Sequence, residues 1–273
     1  MNGICAVASC EFKVALRNRW VAIAVIVMAL FAIVLSAAGS APSGELGVDK
    51  LSLTVASLTS LAVYLVPLIA LLMAFDAIAG EQERGTLPLL LTYPVSRLEI
   101  LLGKFVAHLA TLALAIAVGY GIAAAVAFAF DPEAIRGLPA LVRLYLTSLL
   151  LGSAFLGLGY AISASTGRPG ASAGAVIMAW LILIVLYDLT LLAGIVADNG
   201  RTFTQSVFPW MLLANPADAF RIYNLAASEA ASAATGLGAA AKTISPAVAL
   251  ASVGGWFVIS FVIATTVFKR LKP

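Results

Sequence analysis

Apolar residues fill this chain in long unbroken runs, and polar residues gather between them. A helix that crosses a bilayer needs roughly 20 mainly apolar residues. Six runs meet that length, at residues 20–38, 58–80, 105–130, 141–165, 171–197 and 246–268. The pattern predicts an all-α membrane protein of six transmembrane helices, in a single domain over 1–273. The first run has some marks of a signal peptide: Arg17 and Arg19 precede it, and Ser36-Ala37-Ala38 resembles a cleavage site. Its polar leader is long, however, and its apolar run exceeds a signal core, so it is taken as a span.

Composition points the same way. The chain is 62% hydrophobic and 11% charged, with mean hydropathy +1.06. Soluble domains carry about 25% charged residues, so there is too little polar surface here to cover a soluble globule. An even number of spans puts both termini on one side. If that side is the cytoplasm, the inside cations are Lys13, Arg17, Arg19, Arg84, Arg97, Lys104, Arg168, Lys269, Arg270 and Lys272. Lys50, Arg136, Arg143, Arg201, Arg221 and Lys242 lie outside. This bias follows the positive-inside rule and predicts a multi-pass protein with cytoplasmic termini.

The polar stretch 80–104 stands out in a chain that avoids charge. It opens with Glu81, Glu83 and Arg84. Thr86 is then expected to cap a short helix through Leu87 and Leu90, with Pro88 tolerated in its first turn and Tyr93-Pro94 ending it. Ser96 and Glu99 have the spacing of a capping box for the next helix, which continues past Arg97 to Gly103-Lys104. The plainer reading is a solvated connection, but a bare connection has no need of two capped helices. At the N-terminus, Phe12, Leu16 and Trp20 recur every four residues, beside Lys13 and Arg17. That spacing predicts an amphipathic helix on the membrane surface, or a basic anchor for the first span. Between the last two spans, 198–245 holds an apolar piece with Trp210, then Asn215-Pro216, where Pro216 suits the first turn of a helix capped by Asn215, and then Asp218 and Arg221. It reads as interfacial helices on the outer side followed by an Ala-rich segment, 228–242.

With these residues on the page, 76–104 resembles the signature of ABC-type permeases of the type-2 exporter superfamily. The match runs through Glu81, Gly85-Thr86-Leu87, Leu90, Pro94-Val95-Ser96-Arg97 and Gly103-Lys104. The resemblance implies that Glu81, Glu83, Arg84, Gly85, Thr86, Leu87, Leu90, Pro94 and Arg97 form a coupling helix that docks on a separate ATPase subunit. It implies that Phe12, Lys13, Leu16, Arg17 and Trp20 form an interface helix, and that the outer helices are re-entrant. It also implies a second copy of the chain and a bacterial inner membrane. Residues 11–20, 64–72 and 215–221 resemble a branch of the superfamily that serves copper-site maturation of periplasmic nitrous oxide reductase. Trp210, Asn215, Pro216, Asp218 and Arg221 are then candidates for contact with a periplasmic partner.

The residues argue against chemistry of the chain's own. A P-loop needs G-x-x-x-x-G-K-[ST], and Leu98 and Phe105 break that pattern around Gly103-Lys104. ATP and Mg are therefore expected on the partner ATPase, with no cofactor on this chain and no nucleic-acid partner. Cu(I) favours sulfur ligands. Met28, Met73, Met178 and Met211 are scattered, and Cys5 and Cys10 lie on different sides of a helix, so no metal site is expected. Asp76, His108 and Asp188 are ionisable groups within or near spans, readable as a transport path or as packing partners. Two alternatives stand beside the permease: a proton-coupled secondary transporter using Asp76 or Asp188, and a membrane scaffold that transports nothing.

Overall fold

The computed structural model describes residues 3–16, 26–27, 29–31, 33–34, 50–198, 202–225 and 244–271. The elements are α1 (Gly3–Leu16), α2 (Lys50–Ala74), α3 (Ala79–Glu83), α4 (Thr86–Thr92), α5 (Arg97–Phe130), a 3₁₀ turn (Pro132–Gly137) and α6 (Leu138–Thr166). There follow α7 (Pro169–Trp180), a π-helical stretch (Leu181–Leu186), α8 (Tyr187–Asp198), a second π turn (Phe203–Val207), α9 (Phe208–Ala214), α10 (Pro216–Leu225) and α11 (Pro246–Arg270). Among the described residues, five stretches are long and apolar enough to cross a membrane: Thr54–Glu83, Arg97–Phe130, Pro132–Thr166, Pro169–Asp198 and Pro246–Arg270. They coincide with the second to sixth predicted spans. The described residues of the first predicted span are helical. The rest of that span, with Arg17, Trp20 and the Ala-rich segment, lies outside the described residues.

We call the end that carries α1, α3 and α4 proximal and the other distal. Span four (α6) packs against both span two (α2) and span six (α11). Small residues make this possible, because a methyl group on Gly157 would sit 2.5 Å from Ser260 Oγ and 3.0 Å from the Phe261 amide nitrogen. One on Gly159 would sit 2.5 Å from the Ala74 methyl. Backbones in close contact gain dispersion energy that lipid cannot supply. Span five is peripheral: 17% of its most apolar window is buried, against 61% for the stretches holding spans two and four.

The distal helix α10 enters the bundle rather than lying across it. Ala217, Asp218, Ala219, Phe220, Ile222 and Leu225 are all buried. Asn215 sets its start: the side-chain oxygen accepts from the Ala217 amide at 2.9 Å, with Pro216 as the first helical residue. This is the Asn-Pro helix opening expected from the sequence. Asn224 Nδ2 then donates to Thr147 Oγ1 on α6 at 3.0 Å.

Candidate functional site

The proximal site is built on three supports. The first is the capping box of α5, where the Glu99 amide donates to Ser96 Oγ at 3.2 Å and the Ser96 amide donates to Glu99 Oε2 at 2.8 Å. Two orphan amides are satisfied and the helix direction is fixed. The second is Arg97, one residue on. Its Nη1 donates to the carbonyls of Phe268 at 2.8 Å and Leu271 at 2.7 Å. A cation on the last carbonyls of α11 suits the negative end of that helix. Arg97 is thus engaged in tying span three to span six, which turns it away from the docking role implied for it.

The third support is Lys104, 2% exposed. Its ammonium lies 2.5 Å from Glu11 Oε1 on α1 and 2.6 Å from Glu81 Oε1 on α3. A buried ammonium is tolerated only when paired and hydrogen-bonded, and here the pairing joins three elements. Helix α1 lies tight on α5 at this level, since a methyl group on Gly103 would come 2.7 Å from Val7 and 3.1 Å from the Ile4 carbonyl oxygen. Glu81 therefore faces inward, with its side chain 15% exposed. Beside it lies a cavity of about 250 Å³ lined by Glu11, Met73, Asp76, Glu81, Lys104 and His108, among others. Asp76 pairs with Arg84 at 3.4 Å, both half-exposed. His108 is buried and its Nδ1 bonds Tyr160 Oη at 2.7 Å, with the two rings stacked.

What α4 presents outward is apolar as well as polar. Gly85, not Thr86, takes the cap position, with φ of 67°. The left-handed conformation suits glycine. Thr86 is the first helical residue, and its hydroxyl donates back to the Glu81 carbonyl at 3.2 Å. Leu87 is buried and Leu90 half-buried against the core. The opposite face is open: Glu83, Arg84, Pro88, Leu89, Thr92, Tyr93 and Pro94 are all exposed. Leu89 at 64% and Tyr93 at 65% exposure are one helical turn apart. Neither is among the docking residues implied by the sequence, although two large apolar residues at that spacing beside a polar turn are the signal that could have found them. On α1, Phe12 is half-buried and Lys13 exposed.

At the distal end, Arg221 bridges Asp188 of span five, at 3.0 Å, and Asp218 of its own helix, at 3.1 Å. Asp218 is 1% exposed and its Oδ2 has no hydrogen-bond partner. Burial and the neighbouring Asp188 charge push its carboxyl up to about 7, against the opposing pull of Arg221. The π-helical stretch before Asp188 lets Asn215 Nδ2 reach the Leu183 carbonyl at 2.5 Å. Asn215, Pro216 and Asp218 are thus turned into this chain's own fold. Of the five distal residues picked from the sequence, Trp210, 71% exposed, is the one that faces out.

The arrangement offers a rigid mount, an exposed apolar-and-polar strip on α4, and a polar link between span five and α10. Comparison with known proteins agrees with this plan. Over 274 residues the chain is 41% identical to the "Probable ABC transporter permease protein NosY" of Stutzerimonas stutzeri, covering 99% of both chains. It is 42% identical over 235 residues to the protein of the same name in Pseudomonas aeruginosa, covering 85% of each. The model of the family described as "ABC-2 family transporter protein" matches residues 5–272. A helical membrane bundle that matches that family over nearly its whole length belongs to it: this chain is an ABC-2 family transporter protein, the transmembrane permease subunit of an ABC transporter.

Proposed function

We propose that this permease converts ATP hydrolysis on a separate, NosF-like ATPase into transport or mechanical work across the bacterial inner membrane. It does so as a homodimer with cytoplasmic termini. Its distal end works with a NosD-like periplasmic protein in copper-site assembly of nitrous oxide reductase, as likeness to the two NosY proteins suggests. The chain performs no bond-making step, and ATP and Mg belong to the ATPase. The observation that carries this reading is the α4 strip. Leu89 and Tyr93 are held outward on a helix whose other face is anchored by Leu87, beside the Lys104 ion pairs that fix its mount. Exposed apolar residues on a fixed polar-rimmed element mark a protein-binding surface. Glu83, Arg84, Thr86 and Pro94 supply its polar and turn edge. On the distal side, Trp210 is the partner anchor, and Asp218 and Arg221 hold the helix behind it.

Co-purification tests the proposal. Tagged permease brings down its ATPase, and Leu89→Arg together with Tyr93→Arg lowers the yield by about tenfold, the loss of one interface hot spot. Gly85→Pro, which misdirects α4, has a similar effect. Full ATPase recovery with the double variant would show that docking lies elsewhere.

A further inference from the structure

Span two is broken where its sequence gives no reason for a break. Helix α2 ends at Ala74 and α3 begins at Ala79, yet Phe75-Asp76-Ala77-Ile78 contains neither glycine nor proline. In a continuous helix the amides of Ile78 and Ala79 would bond the carbonyls of Ala74 and Phe75. Instead the Ala74 carbonyl accepts from Ala77, at 3.2 Å. The amides of Ile78 and Ala79 donate to Ser163 Oγ on α6, at 3.1 and 2.9 Å. Ser163 Oγ in turn donates to the Phe75 carbonyl at 2.7 Å, and Ser172 Oγ on α7 donates to that same carbonyl at 2.7 Å. The ordinary ladder resumes with Gly80 to Asp76, at 3.0 Å.

A hydroxyl can donate one hydrogen bond and accept two, so Ser163 is at full capacity inside the backbone of another helix. Ser163 and Ser172 are both 0% exposed. At that depth water cannot replace them, and each unsatisfied backbone group would be costly. One turn before Ser163, Gly159 brings α6 tight against the Ala74 methyl, so α6 cannot step aside. The α3–α4 element is therefore hinged to span two but fastened sideways to spans four and five.

We propose that Ser163, seconded by Ser172, is the joint through which movement of α3–α4 is delivered to spans four and five rather than along span two. This rests on the ATPase-docking reading of α4. Span four is locked to span six at Gly157 and Ser260, whereas span five is the least buried of the five described spans. Ser163 thus fixes the backbone of 75–79 against span four, and Ser172, on the same Phe75 carbonyl, passes the load to span five. At its distal end Asp188 holds Arg221 of α10, so the movement arrives at the re-entrant helix. Ser163 is a positioning residue, since it acts through the backbone of residues 75–79.

The test uses the full chain in complex with its ATPase, in lipid nanodiscs. Cys5 and Cys10 are replaced by serine, and the exposed Val207 beside α9 carries a cysteine-linked environment-sensitive fluorophore. Two quantities are read: ATP turnover, and the change in distal fluorescence on trapping with ATP and vanadate. In Ser163→Ala the ATPase still binds and turns over, while the distal response falls by about tenfold, the equilibrium shift that goes with losing a hydrogen-bonded contact. Ser172→Ala, which leaves Phe75 one of its two hydroxyls, lowers the response about threefold. Ser153→Ala, on the same helix but bonded, among the described residues, only to the Leu149 carbonyl of its own turn, leaves it unchanged. A full distal response in Ser163→Ala overturns the joint. Should that variant fail to assemble, a full response in Ser172→Ala overturns it equally. A silent distal reporter in the unsubstituted complex, with ATPase bound and active, would instead refute ATP coupling itself, and the joint with it.

Discussion

Burying an ammonium between two carboxylates is stable only as a set, and Lys104 shows what such a set does in a helical bundle. Glu11, Glu81 and Lys104 lie far apart in sequence, and their ion pairs bring α1, α3 and α5 together. Replacing Lys104 by Met keeps the stem but leaves two acidic groups facing each other in a half-buried space. A loss on the order of 3 kcal/mol is expected, the cost of removing one partner from a buried pair. The reading is the midpoint of thermal unfolding in detergent, which falls in Lys104→Met and recovers in the triple change with Glu11→Gln and Glu81→Gln. No recovery in the triple variant would mean that the lysine acts through its packing and not its charge.

At the scale of elements, the distal helix α10 carries its own dependence on pH. Asp218 holds its proton in the folded protein up to about pH 7, whereas in the unfolded chain it loses it near the ordinary carboxylate value of about 4. Between these values the folded state binds one more proton than the unfolded state. Stability therefore falls as pH rises through that window and is level above it. The unfolding midpoint is expected to drop between about pH 4 and about pH 7, and Asp218→Asn, which cannot ionise, to flatten the curve. A profile that Asp218→Asn leaves unaltered would place the titrating group elsewhere. Elements differed in how far the sequence disclosed them. The Ser96–Glu99 box, the stop at Tyr93-Pro94 and the Asn215-Pro216 opening were legible because each depends on residues a few positions apart. The break at 75–78 was not, because its cause is a hydroxyl 85 residues away in the chain. The inward turn of Glu81 was hidden likewise, since a glutamate in a polar loop reads as exposed until its lysine is found. Thr86 reads as a cap because threonine is a common one. The left-handed Gly85 took that position instead, and a glycine before a threonine gives no sign of its φ.

For the whole molecule, orientation is the property that decides the rest, and α1 offers a direct test. Cys5 and Cys10 are both exposed. With cytoplasmic termini, a membrane-impermeant maleimide labels them in inverted inner-membrane vesicles and spares them in right-side-out spheroplasts. The reverse pattern would put α4 on the wrong face for any cytosolic ATPase. The five spans in the described residues also divide the labour, with two and four the most buried and five at the periphery. That periphery contains the π-helical stretch Leu181–Leu186. A wide turn of this kind amounts to one surplus residue in an α-helix. Deleting one residue there lets the turn close to an ordinary α-helix with the facing beyond it kept, so Asp188 still meets Arg221. Adding one instead, past the turn that absorbs the first, swings everything after it by about 100° around the axis. Asp188 then points away from Arg221, and α10 loses its tether to span five. Gain of one codon thus leaves insertion and expression intact while silencing the far side of the protein.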